Sequence, residues 1–218
     1  AVGNQSGVKI NNKVITYETL RHAYHATELN TLIKNIEKPV IVEIGGGLGG
    51  MAYQTFKLSN KKEQKYYIFD IPEVLTLCAF FLIAALPEKK ICLFGEKVNN
   101  DTDYDIILMP YFLIHNIENL KIDCFYNSCS LSEIDSECSK EYLKVINKSC
   151  EGYFLTDNHE TRLIFKYPDG TVSRNLKGSE FVPDSNKFRT VYKKRRKHGL
   201  PEDIFFNYYS YLYEKIKK

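Results

Sequence analysis

Five of the chain's twelve glycines fall within Gly45 to Gly50, directly after the apolar run VIVEI that begins at Val40. A β-branched run that breaks into glycines reads as a strand entering a loop. With no Cβ, such a loop can adopt positive φ and let a ligand approach its backbone. The next residues, Met51 to Leu58, carry a helical pattern, so the loop opens onto a helix start, where amide N–H groups lack intrahelical partners. A strand, a glycine loop and a helix in this order constrain the chain to the α/β class.

The pattern repeats downstream. YYIFDI (Tyr66 to Ile71) predicts a strand, Pro72 opens a helix at a first-turn position, and KICLFG (Lys90 to Gly95) predicts a third strand. DIILMP (Asp105 to Pro110) reads as a short strand stopped by proline, and IDCFYNS (Ile122 to Ser128) as the next core strand. A helix is expected from about Glu133 to Asn147, and GYFLTDN (Gly152 to Asn158) supplies another strand. Pro-Asp-Gly within Arg162 to Arg174 signals a hairpin, and FFNYYSYLYEKIKK at the end reads as an aromatic-faced helix. Ahead of the first strand, Ile15 to Ile36 predicts a helix, with Leu20, Tyr24, Leu29 and Leu32 on one face.

The expected fold is a three-layer α/β/α Rossmann-like sandwich with a mostly parallel, seven-stranded sheet. At 218 residues, one domain is expected, comprising a helical lead-in (1–37), a nucleotide-binding core (38–158) and a hairpin with a basic, Tyr-rich C-terminal part (159–218). The Ala1 start without Met points to a segment upstream. The longest apolar run, Val74 to Leu86, is too short to span a bilayer. Six cysteines without a CxxC pair predict reduced thiols, and the location expected is cytoplasmic or peripheral to the inner membrane.

Charge is uneven. Residues 187–218 hold ten Lys/Arg against three Asp/Glu, so the remainder is net acidic. KKRRKH (Lys193 to His198) suits a solvated strand end or an anionic partner such as a nucleotide-sugar, a phosphorylated glycan or a membrane surface. With no recognition module, nucleic acid is not expected as a partner.

Two cofactors fit the loop. Gly45, Gly47 and Gly50 match the dinucleotide GxGxxG, while Glu43, Gly45, Gly47 and Gly49 match E-x-G-x-G-x-G. The carboxylate two residues before the first glycine suits the cationic sulfonium and ammonium of S-adenosylmethionine (SAM) and would repel a pyrophosphate. Asp70, ending the second strand, can accept hydrogen bonds from a ribose in either case.

IVEIGGGLGGMA (Ile41 to Ala52), FDIPEVL (Phe69 to Leu75), FYNSCSLSEID (Phe125 to Asp135) and YFLTDN (Tyr153 to Asn158) together resemble class I SAM-dependent methyltransferases, and more narrowly the sugar O-methyltransferases of bacterial polysaccharide clusters. Cys129 and Ile134 depart from the narrower pattern, which has a bulkier aromatic and Met there. The resemblance implies that Glu43 and the backbone of Gly45, Gly46, Gly47 and Gly49 hold the methionine part, and that Asp70 holds the ribose. It also implies that Gly95 and Glu96 border the adenine, that Asn127 and Ser128 line the methyl-transfer site, and that Arg21 is a candidate for the cofactor carboxylate. SAM would leave as S-adenosylhomocysteine (SAH).

A sugar hydroxyl is a weak acid, with a pKa of roughly 16 like bulk water, so a positioned base matters. His159, after the fifth strand, is the first candidate, followed by Glu133 and His115; His22 and His25 suit packing on the lead-in helix. Asp157, Asn158, His159 and Glu160 could hold a divalent metal, although four polar neighbours after a strand are usually a loop. The function expected is methyl transfer to a sugar or glycan hydroxyl. The alternatives are another small-molecule acceptor, an NAD-type oxidoreductase, and a non-catalytic cofactor-binding scaffold; a homo-oligomer fits the tyrosine-rich tail.

Overall fold

The computed structural model describes residues 7–11, 13–96, 104–196 and 207–217, and the chain divides into two units, Ala1–Tyr111 and Phe112–Lys218. The divide falls inside the stretch expected as the nucleotide-binding core.

The first unit opens with a small antiparallel hairpin, β1 (Val8–Ile10) and β2 (Lys13–Ile15). Helix α1 (Tyr17–Leu32) starts where the Thr16 hydroxyl accepts the Thr19 amide at 3.0 Å. Its buried stripe is His25, Ala26 and Leu29, continued by Ile33, whereas Leu20 and Tyr24 are exposed. The buried face keeps Leu29 from the expected set and takes His25, Ala26 and Ile33 in place of Leu20 and Tyr24.

Strands β3 (Val40–Ile44) and β4 (Lys65–Asp70) pair in parallel across helix α2 (Gly50–Leu58). Helix α3 (Pro72–Ala85) follows, then β5 (Ile91–Cys92) and β6 (Ile106–Pro110). The spatial order is β3-β4-β6-β5, all parallel, so β6 inserts between β4 and the shorter β5. Ile41, Val42, Tyr66, Ile68, Phe69, Ile106 and Leu108 are buried on both faces of these strands. That is why their sequences are continuously apolar rather than alternating. Helix α3 presses Leu75, Cys78 and Leu82 onto β4 and β6.

In the second unit β7 (Ile122–Ser128) runs parallel to β8 (Cys150–His159), connected through helix α4 (Ser136–Ser149). The helix starts later than expected because Asp135 caps it, accepting the Glu137 amide at 2.7 Å. The Pro-Asp-Gly hairpin forms as β9 (Ile164–Lys166) and β10 (Val172–Arg174), but as its own two-stranded sheet. The antiparallel extension of the main sheet comes instead from β11 (Phe188–Arg195) and β12 (Tyr208–Lys215).

The expected C-terminal helix is thus corrected to a strand over its described part. Tyr209, Tyr211 and Tyr213 recur with period two, the spacing of one sheet face, and aromatic residues favour strands. Counting both units, eight strands take part in this mostly parallel α/β arrangement, one more than expected.

Candidate functional site

Between β3 and α2 the backbone turns through three positive φ values, 75° at Gly45, 53° at Gly47 and 81° at Gly49. The glycines there do different work. A Cβ on Gly46 would collide with Ile68, and one on Gly49 would meet Leu82 Cγ at 2.8 Å and Cys78 Sγ at 3.0 Å, so those two let the loop sit down on β4 and α3. A Cβ on Gly47 would meet nothing within 4 Å. Gly47 is therefore the open side of the cradle, where a ligand can lie against bare backbone.

Asp70 braces this loop. One carboxylate oxygen accepts the Gly47 amide at 2.8 Å and the other accepts the Ile71 amide at 2.7 Å. Partial burial raises its pKa, and the two amides oppose the rise. Glu43, on β3, is only 3% exposed and accepts the Tyr66 phenol at 3.0 Å. Burial pushes its pKa up to about 8; the Tyr66 bond and Arg21 oppose the shift, and Asp70 adds to it.

Arg21, on α1, lies near enough to act on Glu43 and forms an ion pair with Glu18. Its neighbour His22 packs its ring on Gly50, at the start of α2, where a Cβ would collide with the imidazole. Burial, then Arg21 and His25, lower the His22 pKa to about 3, so the ring is neutral. His22 thus packs against the start of α2, and its ring gives a structural reason for Gly50, the glycine that the dinucleotide motif uses and E-x-G-x-G-x-G does not.

The neighbouring strand ends carry the rest. Asp70 is in register with Pro110 of β6. On β5 the last paired residue, Cys92, sits opposite Ile107. Gly95 and Glu96 then enter a turn in which the Glu96 carboxylate accepts the Leu93 amide at 2.8 Å and the Glu96 amide donates to the Leu93 carbonyl.

In the second unit, Asn127 is 0% exposed and fully engaged: its amide donates to Ser130 Oγ and its oxygen accepts from Asn158. Asn158 in turn bonds Thr156 and Ser132, while Asn175 bonds the Ser132 and Thr161 carbonyls. This buried amide network orders the turn after β7. Ser128, half-buried, donates to Asp157 at 3.3 Å.

His159 is buried, and its Nδ1 accepts the Thr161 amide at 3.2 Å. The neutral ring therefore carries its proton on Nε2 and presents a donor there. Burial lowers its pKa, so the neutral form prevails at pH 7. Glu133 is exposed at the same end of β7 and acts electrostatically on Tyr208, whose ring meets His159 edge-on. His115 is exposed and pairs with Glu118.

The basic run holds a residue that charge counting could not find. Arg196, 8% exposed, forms an ion pair with the fully buried Asp157 at 2.5 Å and stacks on Tyr208. It also donates to Cys129 at 3.0 Å, and Ser210 donates to Asp157 at 2.9 Å. Lys193 lies over Tyr209 and Tyr211, and Lys197 and His198 lie outside the described residues.

Asp157 is thus committed to Arg196, Asn158 to the amide network, His159 to Thr161, and Glu160 to Tyr211 and Ser179. Strand alternation also sends neighbouring side chains to opposite faces, so these four do not converge. Among the described residues no group of three or more His, Cys, Asp or Glu is arranged to hold a metal.

No family model and no curated protein matches the chain. Solved structures do. Magnesium protoporphyrin IX methyltransferase from Synechocystis, with bound SAH, is 11% identical, with a TM-score of 0.61 over 98% of this chain and 90% of its own. The N-methyltransferase NodS from Bradyrhizobium japonicum, also with SAH, is 10% identical, with a TM-score of 0.60 over 92% and 88%. This chain has the methyltransferase fold. A SAM-dependent methyltransferase from Clostridium acetobutylicum agrees, at 14% identity and a TM-score of 0.55 over 92% of both chains. No helix among the described residues is long and apolar enough to cross a membrane.

Proposed function

We propose that the protein is a SAM-dependent O-methyltransferase acting on a sugar hydroxyl. The observation that carries the cofactor half is the Gly45–Gly49 cradle. It is open at Gly47 and braced by Asp70, with the buried carboxyl of Glu43 on the strand that enters it. Bound SAH in structures of the same fold supports that half. The sugar rests on the NSCSLSEID resemblance at the end of β7. The fold leaves the acceptor open, since its neighbours include both an N-methyltransferase and a mitomycin 7-O-methyltransferase.

In this reading Gly47 presents bare backbone to the cofactor, Asp70 accepts from the ribose, and Glu43 with Arg21 forms a charged pair for the amino-acid end. SAM, when bound, supplies an electrophilic methyl group. The chain's part is to orient the acceptor oxygen and remove its proton. The Thr161 bond to Nδ1 makes His159 a donor through Nε2, suited to orienting the acceptor. Glu133, an exposed carboxylate beside Tyr208, takes the proton. A basic partner surface on β11 suits an anionic or nucleotide-linked sugar.

The test is incubation with methyl-labelled SAM and a panel of free, nucleotide-linked and polymeric sugars, read by mass spectrometry. Label on a sugar oxygen is expected. Label on another acceptor class would keep the methyltransferase and remove the sugar, and SAH binding without transfer to any acceptor would favour a scaffold.

A further inference from the structure

Helix α3 (PEVLTLCAFFLIAA) is apolar on every side, and a helix of that composition is ordinarily enclosed on every side. Here only part of it is. Leu75, Cys78, Ala79 and Leu82 are buried, and Phe81 on the flank meets Tyr53 of α2 edge-on. The outer stripe is open: Leu77 is 56% exposed, Phe80 68% and Ile83 52%, with Thr76 and Ala84 exposed beside them. Three large apolar residues in one stripe make a patch, unlike the scattered single residues that any surface carries.

The spacing of the stripe says what fits it. Glu73, Leu77, Phe80, Ala84 and Pro87 follow alternating steps of four and three, the seam that one helix presents to another packed along it. The seam is also self-complementary. A two-fold axis through Phe80 sets Leu77 opposite Ile83 and Thr76 opposite Ala84, and the Thr76 hydroxyl is already turned back to the Pro72 carbonyl at 3.2 Å. The same axis brings Glu73, in the first turn, to the end of the second helix that is followed by Lys89 and Lys90. Within one chain Glu88 is met by Lys57 and Lys89 by Asp105, so the exposed Lys90 is the cation that answers Glu73, twice in each pair. Antiparallel helix dipoles act in the same sense.

We propose that the outer stripe of α3 is the interface of a homodimer, in which two copies of the chain pack α3 antiparallel about Phe80. The occupant is a second copy rather than an anionic membrane surface, because α3 has no Lys or Arg to flank its apolar residues and its one charge is Glu73. A helix of fourteen residues is about 21 Å long, so the contact falls below the roughly 800 Å² per partner of a standard interface, and the dimer forms in the micromolar range. None of the residues assigned to the cofactor lies in the stripe, so the interface stands whatever ligand the glycine loop takes.

The test is sedimentation equilibrium of the wild-type chain, of Phe80→Asp, Glu73→Lys and Lys90→Glu, and of the two charge reversals combined, with thermal melts to confirm folding. The wild type should pass from one chain mass to two across the micromolar range, and Phe80→Asp should stay at one. Each single reversal should weaken the dimer roughly tenfold, since the two-fold repeats the altered pair, and the combined variant should restore it. Disulfide trapping reads the direction of packing. In a Cys138→Ser background, which removes the exposed native thiol, Thr76→Cys with Ala84→Cys should cross-link two chains on mild oxidation. Thr76→Cys by itself should not, because the two copies of that position lie about 12 Å apart along the seam.

A wild type that keeps one chain mass up to about 1 mM, a Phe80→Asp variant that dimerises as the wild type does, or a combined charge variant as weak as the single ones would overturn the assignment. So would a monomeric wild type that co-sediments with phosphatidylglycerol vesicles and loses them in Phe80→Asp, which would make the stripe a membrane contact.

Discussion

Cofactor affinity should depend steeply on pH through Glu43. Its carboxyl is held near a pKa of about 8, first by burial and then by the nearby Asp70 charge, against the opposing Tyr66 bond and Arg21. Below that pH the free protein holds it neutral, whereas a ligand bearing an ammonium group is bound by the anion. Apparent affinity then scales with the ionised fraction: about 1% at pH 6, a tenth at pH 7 and half at pH 8. SAH affinity should therefore rise about fiftyfold from pH 6 to pH 8, with nearly one proton released per ligand at pH 7.

Calorimetry in two buffers of different ionisation enthalpy reads both quantities. Glu43→Gln should flatten the profile near the low-pH value. Stability runs the other way. The folded pKa lies above the unfolded one, so the stabilisation from a neutral buried carboxyl is complete below about 4.5 and is lost as pH rises through about 8, at about 1.4 kcal/mol per unit between them. A wild-type affinity that is flat from pH 6 to 8, or a Gln variant that keeps the slope, would refute the reasoning.

Gly49→Ala combines a left-handed φ with a Cβ pressed on Leu82 and Cys78, so urea unfolding should show a loss of about 2 kcal/mol or more with the m-value unchanged. Asp157→Ala leaves Arg196 buried without its carboxylate and should cost about 3–5 kcal/mol by the same measurement; a loss below about 1 kcal/mol would mean that Arg196 reaches water. Glu133→Gln should lower turnover about a hundredfold with SAH affinity unchanged, while His159→Gln, which keeps a side-chain donor, should stay within about tenfold of wild type. The reverse ranking would return the base to His159.

The strand–glycine–helix unit, Asp70 and the parallel βα order were legible in the sequence because each is decided within a few residues: β-branched runs, positive-φ glycines, and Pro72 at a helix start. What was not legible is set by pairing between distant segments. IILMP reads as a strand, but nothing in it says that it slides between β4 and β5 rather than lying outside them. Arg196 sits in a run of like charges and differs from Arg195 only in meeting Asp157, nearly forty residues earlier in the chain. The tail failed for another reason. Its period-two tyrosines suit a strand, but the same aromatic density suits a helix face, and the pairing with β8 decides between them.

The charge around the loop was half legible, and its physical consequence decides between the two cofactors that the glycines permit. Glu43 and Asp70 are both carboxyls of raised pKa, braced chiefly by neutral donors: the Tyr66 phenol and the Gly47 and Ile71 amides. Arg21 is close by, but it also pairs with Glu18. A pyrophosphate seated on this loop would bring negative charge against whichever of the two is ionised, Glu43 only as pH rises through about 8. At roughly 6 Å and an effective dielectric near 20, each unit of repulsion costs about 3 kcal/mol, a factor above a hundred in affinity. An ammonium gains on the same scale once Glu43 ionises. The glycines supply the shape for either cofactor, and the buried acids favour the cationic one.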